Sequence, residues 1–142
     1  MSVEVNGIAH IQLTVIDIEK CLPFWERFCH FLEMKTLMKS DEMVYCIGSR
    51  TGVLVRQAPE GKRDRSFDQD RPGLHHICFR ARANDDVDKI HAFVRDDLGG
   101  KILRAPEEGA WAPGYYSTLF EDPDGLRVEV NFVPGKGHLE TK

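Results

Sequence analysis

Apolar and polar residues alternate along much of this chain. Leu126, Val128, Val130 and Phe132 are apolar, and Arg127, Glu129 and Asn131 between them are polar. A period of two predicts a half-buried strand, with Glu129 at the centre of its polar face. Asp122-Pro123-Asp124-Gly125 just before it predicts a tight turn, because proline fixes φ, aspartate bonds back to its own backbone and glycine accepts φ > 0. The same alternation opens the chain over residues 8–15. There Ala9, Ile11, Leu13 and Val15 share one face, and Ile8, His10, Gln12 and Thr14 the other. It returns over residues 74–81, with His75, Ile77, Phe79 and Ala81 set against Leu74, His76, Cys78 and Arg80.

Between these strands the period changes. Ile18, Cys21, Leu22, Trp25, Phe28, Cys29 and Leu32 recur at helical spacing, with Asp17 placed to cap the helix and Pro23 expected to delay its start or distort its first turn. Three short strands are predicted over 34–38, 43–47 and 52–57. In the second half, Val87, Ile90, Val94 and Leu98 mark a helix capped by Asn84 and ended by Gly99-Gly100. A short strand over 101–104, a loop over 105–114 and a strand over 115–120 lead into the Asp-Pro-Asp-Gly turn. Strand-helix-strand-strand-strand therefore occurs twice, and repetition on this scale is a fold-level signal. The expectation is an α+β fold: one domain of two βαβββ modules, 7–58 and 73–133, each a cupped sheet with its helix on the outer face. A charged linker, 59–72, joins them, and residues 134–142 form a loose tail.

Composition narrows the function. The chain has 142 residues, is 42% hydrophobic and carries a net charge of -4 with acids and bases interspersed. A nucleic-acid-binding stripe is not expected. No apolar run approaches the roughly 20 residues of a membrane span. No secretory leader is expected at the N-terminus, and Cys21, Cys29, Cys46 and Cys78 lack C-x-x-C spacing. Free thiols in a cytoplasmic protein follow.

His10, His76 and Glu129 each stand on the polar face of a strand whose other face is apolar. Two imidazoles and a carboxylate suit a divalent metal, Fe, Mn, Ni, Co or Zn, with positions left for water and substrate. Taken one at a time, a strand histidine is more often a hydrogen-bonded core residue, and a strand glutamate is usually solvated. His75 is expected to face the helix layer, with His30 and His91 on helices and His138 in the tail.

Ile8-Ala9-His10-Ile11, Leu74-His75-His76-Ile77 and Phe120-x-Asp122-Pro123-Asp124-Gly125-x-x-x-Glu129 together resemble the vicinal oxygen chelate superfamily. That group includes glyoxalase I, bleomycin- and fosfomycin-resistance proteins, extradiol dioxygenases and methylmalonyl-CoA epimerase. The resemblance runs from about residue 7 to 133. It implies a metal held by His10, His76 and Glu129, with Glu129 also the catalytic group. It further implies a small substrate chelating through adjacent oxygens, in a lyase, isomerase or dioxygenase reaction, and a homodimer. A non-catalytic binding protein of the bleomycin-resistance type is the alternative.

Glyoxalases carry a fourth ligand on the last strand of the first module. Aligning Gly52 with Gly125 puts Arg56 at that position, and sliding by one puts Val55 there. Gln57 fits only with a shifted register or a bulge. Neither Arg56 nor Val55 is a carboxylate, so a two-carboxylate proton shuttle is not expected. The tyrosine that extradiol enzymes carry shortly before the Asp-Pro turn is also missing, since Tyr115 and Tyr116 fall too early. Arg56, Arg80 and Arg127 are candidates to bind an anionic substrate group, or else rim residues in salt bridges. The segment 108–116, with Trp111 and Tyr116, is a candidate substrate-covering lid or a subunit contact.

Overall fold

The computed structural model describes residues 1–140. The chain separates into two compact units, Met1–Ser66 and Phe67–Lys142.

The first unit runs β1 (His10–Val15), α1 (Ile18–Phe31), β2 (Lys35–Lys39), β3 (Met43–Gly48) and β4 (Thr51–Gln57). Its sheet has the order β1-β4-β3-β2, with β1 parallel to β4 and the other pairs antiparallel. Leu13 and Val15 of β1, Val53 and Val55 of β4, and Val44 and Cys46 of β3 share the face beneath α1 and are buried. Trp25 and Phe28 fill the helix side of this core, edge to face with ring centroids 5.9 Å apart. Asp17 caps α1, accepting from the Lys20 amide at 3.2 Å. The delayed start expected from Pro23 does not occur. Pro23 lies exposed inside the helix, where the carbonyl it leaves unpaired can bond water.

The second unit repeats the plan with β5 (Ile77–Arg80), α2 (Asn84–Ala92), β6 (Lys101–Glu108), β7 (Tyr116–Glu121) and β8 (Arg127–Phe132). The order is β5-β8-β7-β6, with β5 parallel to β8. Val128, Val130, Thr118 and Phe120 are buried on the α2 side, together with Val87 and Val94.

Several boundaries differ from those expected. β5 begins at Ile77, so His76 precedes the paired strand. Ala83, not Asn84, is the N-cap of α2, and its side chain makes no cap bond. A π-helical turn, Phe93–Asp97, continues α2 before Gly99 (φ 61) ends it. β6 extends to Glu108 through two register shifts, because an edge strand tolerates Pro106 and a run of charges. In the tail, Gly137–Glu140 forms a 3-10 turn, and His138 Nε2 bonds the Trp111 carbonyl at 2.9 Å. Thr141 and Lys142, the end of the expected tail, lie outside the described residues.

The two βαβββ hairpins close differently. The β3–β4 turn is made by Ser49 and Arg50, both at positive φ (49° and 61°), as a two-residue hairpin requires. In the β7–β8 turn, buried Asp122 accepts from the amides of Asp124 (2.9 Å) and Leu126 (2.8 Å), and Gly125 takes φ 87.

Candidate active site

Glu129 is the middle of β8, on the sheet face opposite α2. Cys78 of β5 and Leu119 of β7 are its register neighbours. It is 8% exposed, and a buried carboxylate needs partners. Tyr115 Oη donates to Oε1 at 2.5 Å. Arg104 Nη2 donates to Ser117 Oγ at 2.7 Å and approaches the same Oε1 at 3.4 Å. His76 Nε2 stands 3.1 Å from the other oxygen, Oε2. Burial pushes the Glu129 carboxyl up. Hydrogen bonds from Tyr115 and Ser117 and the charges of His76 and Arg104 outweigh that, so it is held below the usual carboxylate range. Burial and the bond to Glu129 push the Tyr115 phenol up to about 12, so it stays a donor.

Local chain geometry seats each of these groups. Tyr115 precedes β7, and its carbonyl accepts from the Gly109 amide at 3.0 Å, closing the β6–β7 loop. A Cβ on Gly109 would lie 3.0 Å from the Tyr115 ring. Gly114 has φ 72, and a Cβ there would lie 2.7 Å from the Pro134 ring, so glycine is required on two counts. His76 is backed by exposed His75. Their Nδ1 atoms are 2.8 Å apart and their rings meet edge on, so one nitrogen donates and the other accepts. His75 therefore adjoins the site rather than the helix layer.

The structure brings His76 and Glu129 together. His10 is the first residue of β1 in the other unit, exposed on the face opposite α1. Tyr116 does not join Glu129. It alternates onto the α2 side and donates to Asp88 Oδ1 at 2.7 Å, while Tyr115 takes the place beside the carboxylate. Arg127 turns to Glu121, with Nε 4.0 Å from Oε1. Arg56 and Arg80 are exposed, and so is Trp111 in the β6–β7 loop. His30 bonds Thr36 at 2.8 Å, and buried His91 stands 3.3 Å from Thr118 Oγ1. Burial pulls the His91 imidazole below its usual value. Arg104, Ser117, Tyr115 and His75 were missed from the sequence. The alternation of β7 carries Ser117 and Leu119 on the Glu129 face and would have separated Tyr115 from Tyr116.

The register also corrects the fourth position. Gln12 pairs with Leu54 as Cys78 pairs with Glu129, each two residues beyond a histidine. Leu54 is thus the counterpart of Glu129, and Arg56 that of Asn131. Aligning the glycines fails because they do different work. Gly125 makes a turn, whereas Gly52 lies inside β4, where a Cβ would come within 2.6 Å of the Tyr45 ring.

Among the described residues, no group of three or more His, Cys, Asp or Glu is placed to hold a metal ion together. No helix among them is long and apolar enough to cross a membrane.

Comparison with known proteins agrees with this architecture. The uncharacterized protein YqjT of Bacillus subtilis (strain 168) is 28% identical over 121 residues, covering 85% of this chain and 94% of that one. A Bacillus halodurans crystal structure superposes with TM-score 0.79 at 22% identity, covering 90% of this chain and 96% of the other. Lactoylglutathione lyase from Agrobacterium tumefaciens superposes with TM-score 0.63 at 20% identity, covering 91% and 95%. These structural likenesses show a shared glyoxalase-like fold. The sequence profile of the Glyoxalase/Bleomycin resistance protein/Dioxygenase superfamily matches residues 7–130, nearly the whole chain, and the chain belongs to that superfamily.

Proposed function

We propose that the protein is a divalent-metal-dependent enzyme acting on a small substrate that chelates through adjacent oxygens. The ligands in this reading are His76, Glu129 and, from the first unit, His10, and the metal is Fe, Mn, Ni, Co or Zn. The observation that carries it is the pair His76 Nε2 and Glu129 Oε2, 3.1 Å apart, with the carboxylate kept ionised by its neighbours. An imidazole nitrogen and an ionised carboxylate oxygen are fitting donors for these ions. When bound, the ion would act as a Lewis acid toward substrate oxygens.

The chain's own residues narrow the chemistry. A carboxylate held below its usual range is a weak base, so Glu129 suits the ligand role better than proton abstraction. Leu54 at the counterpart position leaves no second carboxylate there for a proton shuttle. Exposed Arg80, on the Glu129 face of β5, supports an anionic substrate group. Arg56 offers the same chemistry in the first unit, with Trp111 as apolar cover. A cytoplasmic homodimer belongs to this reading and is checked by sedimentation.

One observation favours the alternative, a small-molecule binding protein without catalysis. The face opposite α1 presents half-buried Met43, Tyr45, Ile47 and Leu54 at its centre, an apolar surface. Metal content separates the two. Near-stoichiometric metal in the wild type, lost in folded His76→Ala and Glu129→Ala, is expected. A folded wild type that takes up none of Mn, Fe, Ni, Co or Zn would move the assignment to the binding protein.

A further inference from the structure

The four strands of the first unit contain no aspartate and no glutamate. Their basic residues are His10, Lys35, Lys39 and Arg56. Lys39 is tied to Glu26 of α1 at 2.6 Å. The other three stand on the face opposite α1, because they and their register partners alternate with the residues buried beneath the helix. That face is apolar at its centre and positive at its margin. Leu54 and Tyr45 are register partners at the middle, with Met43 and Ile47 on either side of Tyr45 along β3, and all four are half-buried. Gly52 gives the Tyr45 ring its place, since a Cβ there would lie 2.6 Å from the ring's Cε2 and from its hydroxyl. Arg56 pairs with Met43, two residues beyond Leu54 on β4, and is exposed. Among the described residues it makes no hydrogen bond or ion pair, and neither Asp41 nor Glu42, in the turn before Met43, pairs with it. The second unit is built otherwise. Its strands carry Glu107, Glu108, Glu121 and Glu129, and Arg104 and Arg127 face acids among them, at 3.4 and 3.5 Å for Arg104 and 4.0 Å for Arg127.

We infer that the open face of the first unit binds a small apolar molecule bearing one anionic group, with its skeleton on Tyr45 and Leu54 and its charge on Arg56. The inference rests on the small-molecule reading shared by both proposals above, and it needs no metal. A guanidinium left without an acid by its own chain is matched to a carboxylate or phosphate brought by a ligand. The apolar centre supplies the remaining attraction by losing water when the skeleton covers it. Spacing sets the size of the ligand. Residues two apart on one strand face are about 6.5 Å apart, so an acid group one or two carbons from a ring system reaches from Leu54 to Arg56. With no acid in these strands, nothing on the face opposes such a charge.

The test uses a matched pair of probes on the full chain after EDTA treatment: naphthalene-1-acetate and its uncharged amide, naphthalene-1-acetamide. Calorimetric titration gives affinity, and the ¹³C-methyl signals of the methionines give place. Met43 and Met38 belong to the open face as register neighbours of Arg56 and Tyr45, whereas Met34 is buried. The acid is expected to bind and to shift the Met43 methyl while leaving that of Met34 in place. The amide should bind about fivefold more weakly. Arg56→Gln should weaken the acid alone and so erase the preference. Comparing the two probes on the wild type tests the charge without any substitution. Equal affinity for acid and amide, binding of neither up to millimolar concentration, a preference that survives in Arg56→Gln, or shifts that miss Met43 would each overturn the proposal. Metal content is measured separately, so the metal reading and this inference can each fail alone.

Discussion

The two units share a topology and a strand register, yet only the second builds a polar site around its central strand. At equivalent positions of β4 and β8 stand Leu54 and Glu129, each flanked by buried valines, Val53 and Val55 or Val128 and Val130. Across the sheet, Leu54 meets Tyr45, whereas Glu129 meets Leu119 and receives its hydroxyl from the loop residue Tyr115. The first unit also has a carboxylate tied down by neighbours, but on its helix. Glu26 accepts from Thr36 at 3.0 Å and Lys39 at 2.6 Å, tying α1 to β2. The lesson is that a repeated scaffold fixes where a side chain points, while its chemistry is set residue by residue.

The sharpest way to break this comparison is to truncate both central positions. Glu129→Ala is expected to lower Mn(II) affinity by more than about 100-fold, beyond what loss of a supporting residue does. Leu54→Ala should leave affinity within a few-fold and cost about 1–2 kcal/mol of stability, since Leu54 is half-buried. Isothermal titration and urea unfolding read the two effects, and equal losses of affinity would end the asymmetry argument.

The glycines give the next contrast. Gly114→Ala combines positive-φ strain with a close approach to Pro134 and should cost about 2–3 kcal/mol by urea unfolding. It should also weaken Mn(II) binding by moving Tyr115. Gly52→Ala pushes the Tyr45 ring and should cost about 1–3 kcal/mol with no change in Mn(II) binding.

The tied carboxylates come third. Glu129 in the folded protein lies below its ordinary value of 4.5, so its contribution is fully present above that pH and is lost as pH falls through the folded pKa. Glu129→Gln should therefore cost about 1.5–3 kcal/mol at pH 7, and the gap to wild type should close in acid. Glu26 is also lowered, by its bond to Lys39, and has the same sign of pH dependence. Its partner Lys39 is half exposed, so Glu26→Gln should cost no more than about 1 kcal/mol. Urea midpoints at pH 7 and in stepwise acid test both.

The smallest effect belongs to the hairpin turns. Ser49→Asn with Arg50→Gly supplies residues suited to positive φ and should stabilise the first unit by about 1 kcal/mol, a few degrees in thermal unfolding.

Much of the fold was legible because alternation and helical stripes report burial directly. Leu13 and Val15, Trp25 and Phe28, Val128 and Val130 all lie where their periods put them. Glu129 was legible as the central polar-face residue of β8, and His76 from the alternation that runs into β5, although the paired strand begins one residue later. What escaped depends on counting across turns. The Ser49-Arg50 turn and the Asp122 turn consume different numbers of residues, so aligning glycines shifted the register by two and hid Leu54. Ala105 to Glu108 reads as loop because edge pairing accepts a proline, and with the strand read short, Arg104 did not stand out as a site residue. Tyr115 and Tyr116 are neighbours in sequence, and only pairing with β8 tells which one points toward Glu129.

The parallel pairing of each unit's first and last strands has a consequence for synthesis. His10 emerges from the ribosome long before Gly52, its register partner, and Ile77 long before Val128. The helix and the β3–β4 or β7–β8 hairpin need only nearby residues and can form as they appear. The opening strand must wait with its hydrogen-bonding edge unpaired until nearly the whole unit has been made. A ribosome that stalls before Thr51 would therefore hold a nascent chain whose β1 is bare, and that strand is where a chaperone would be needed most.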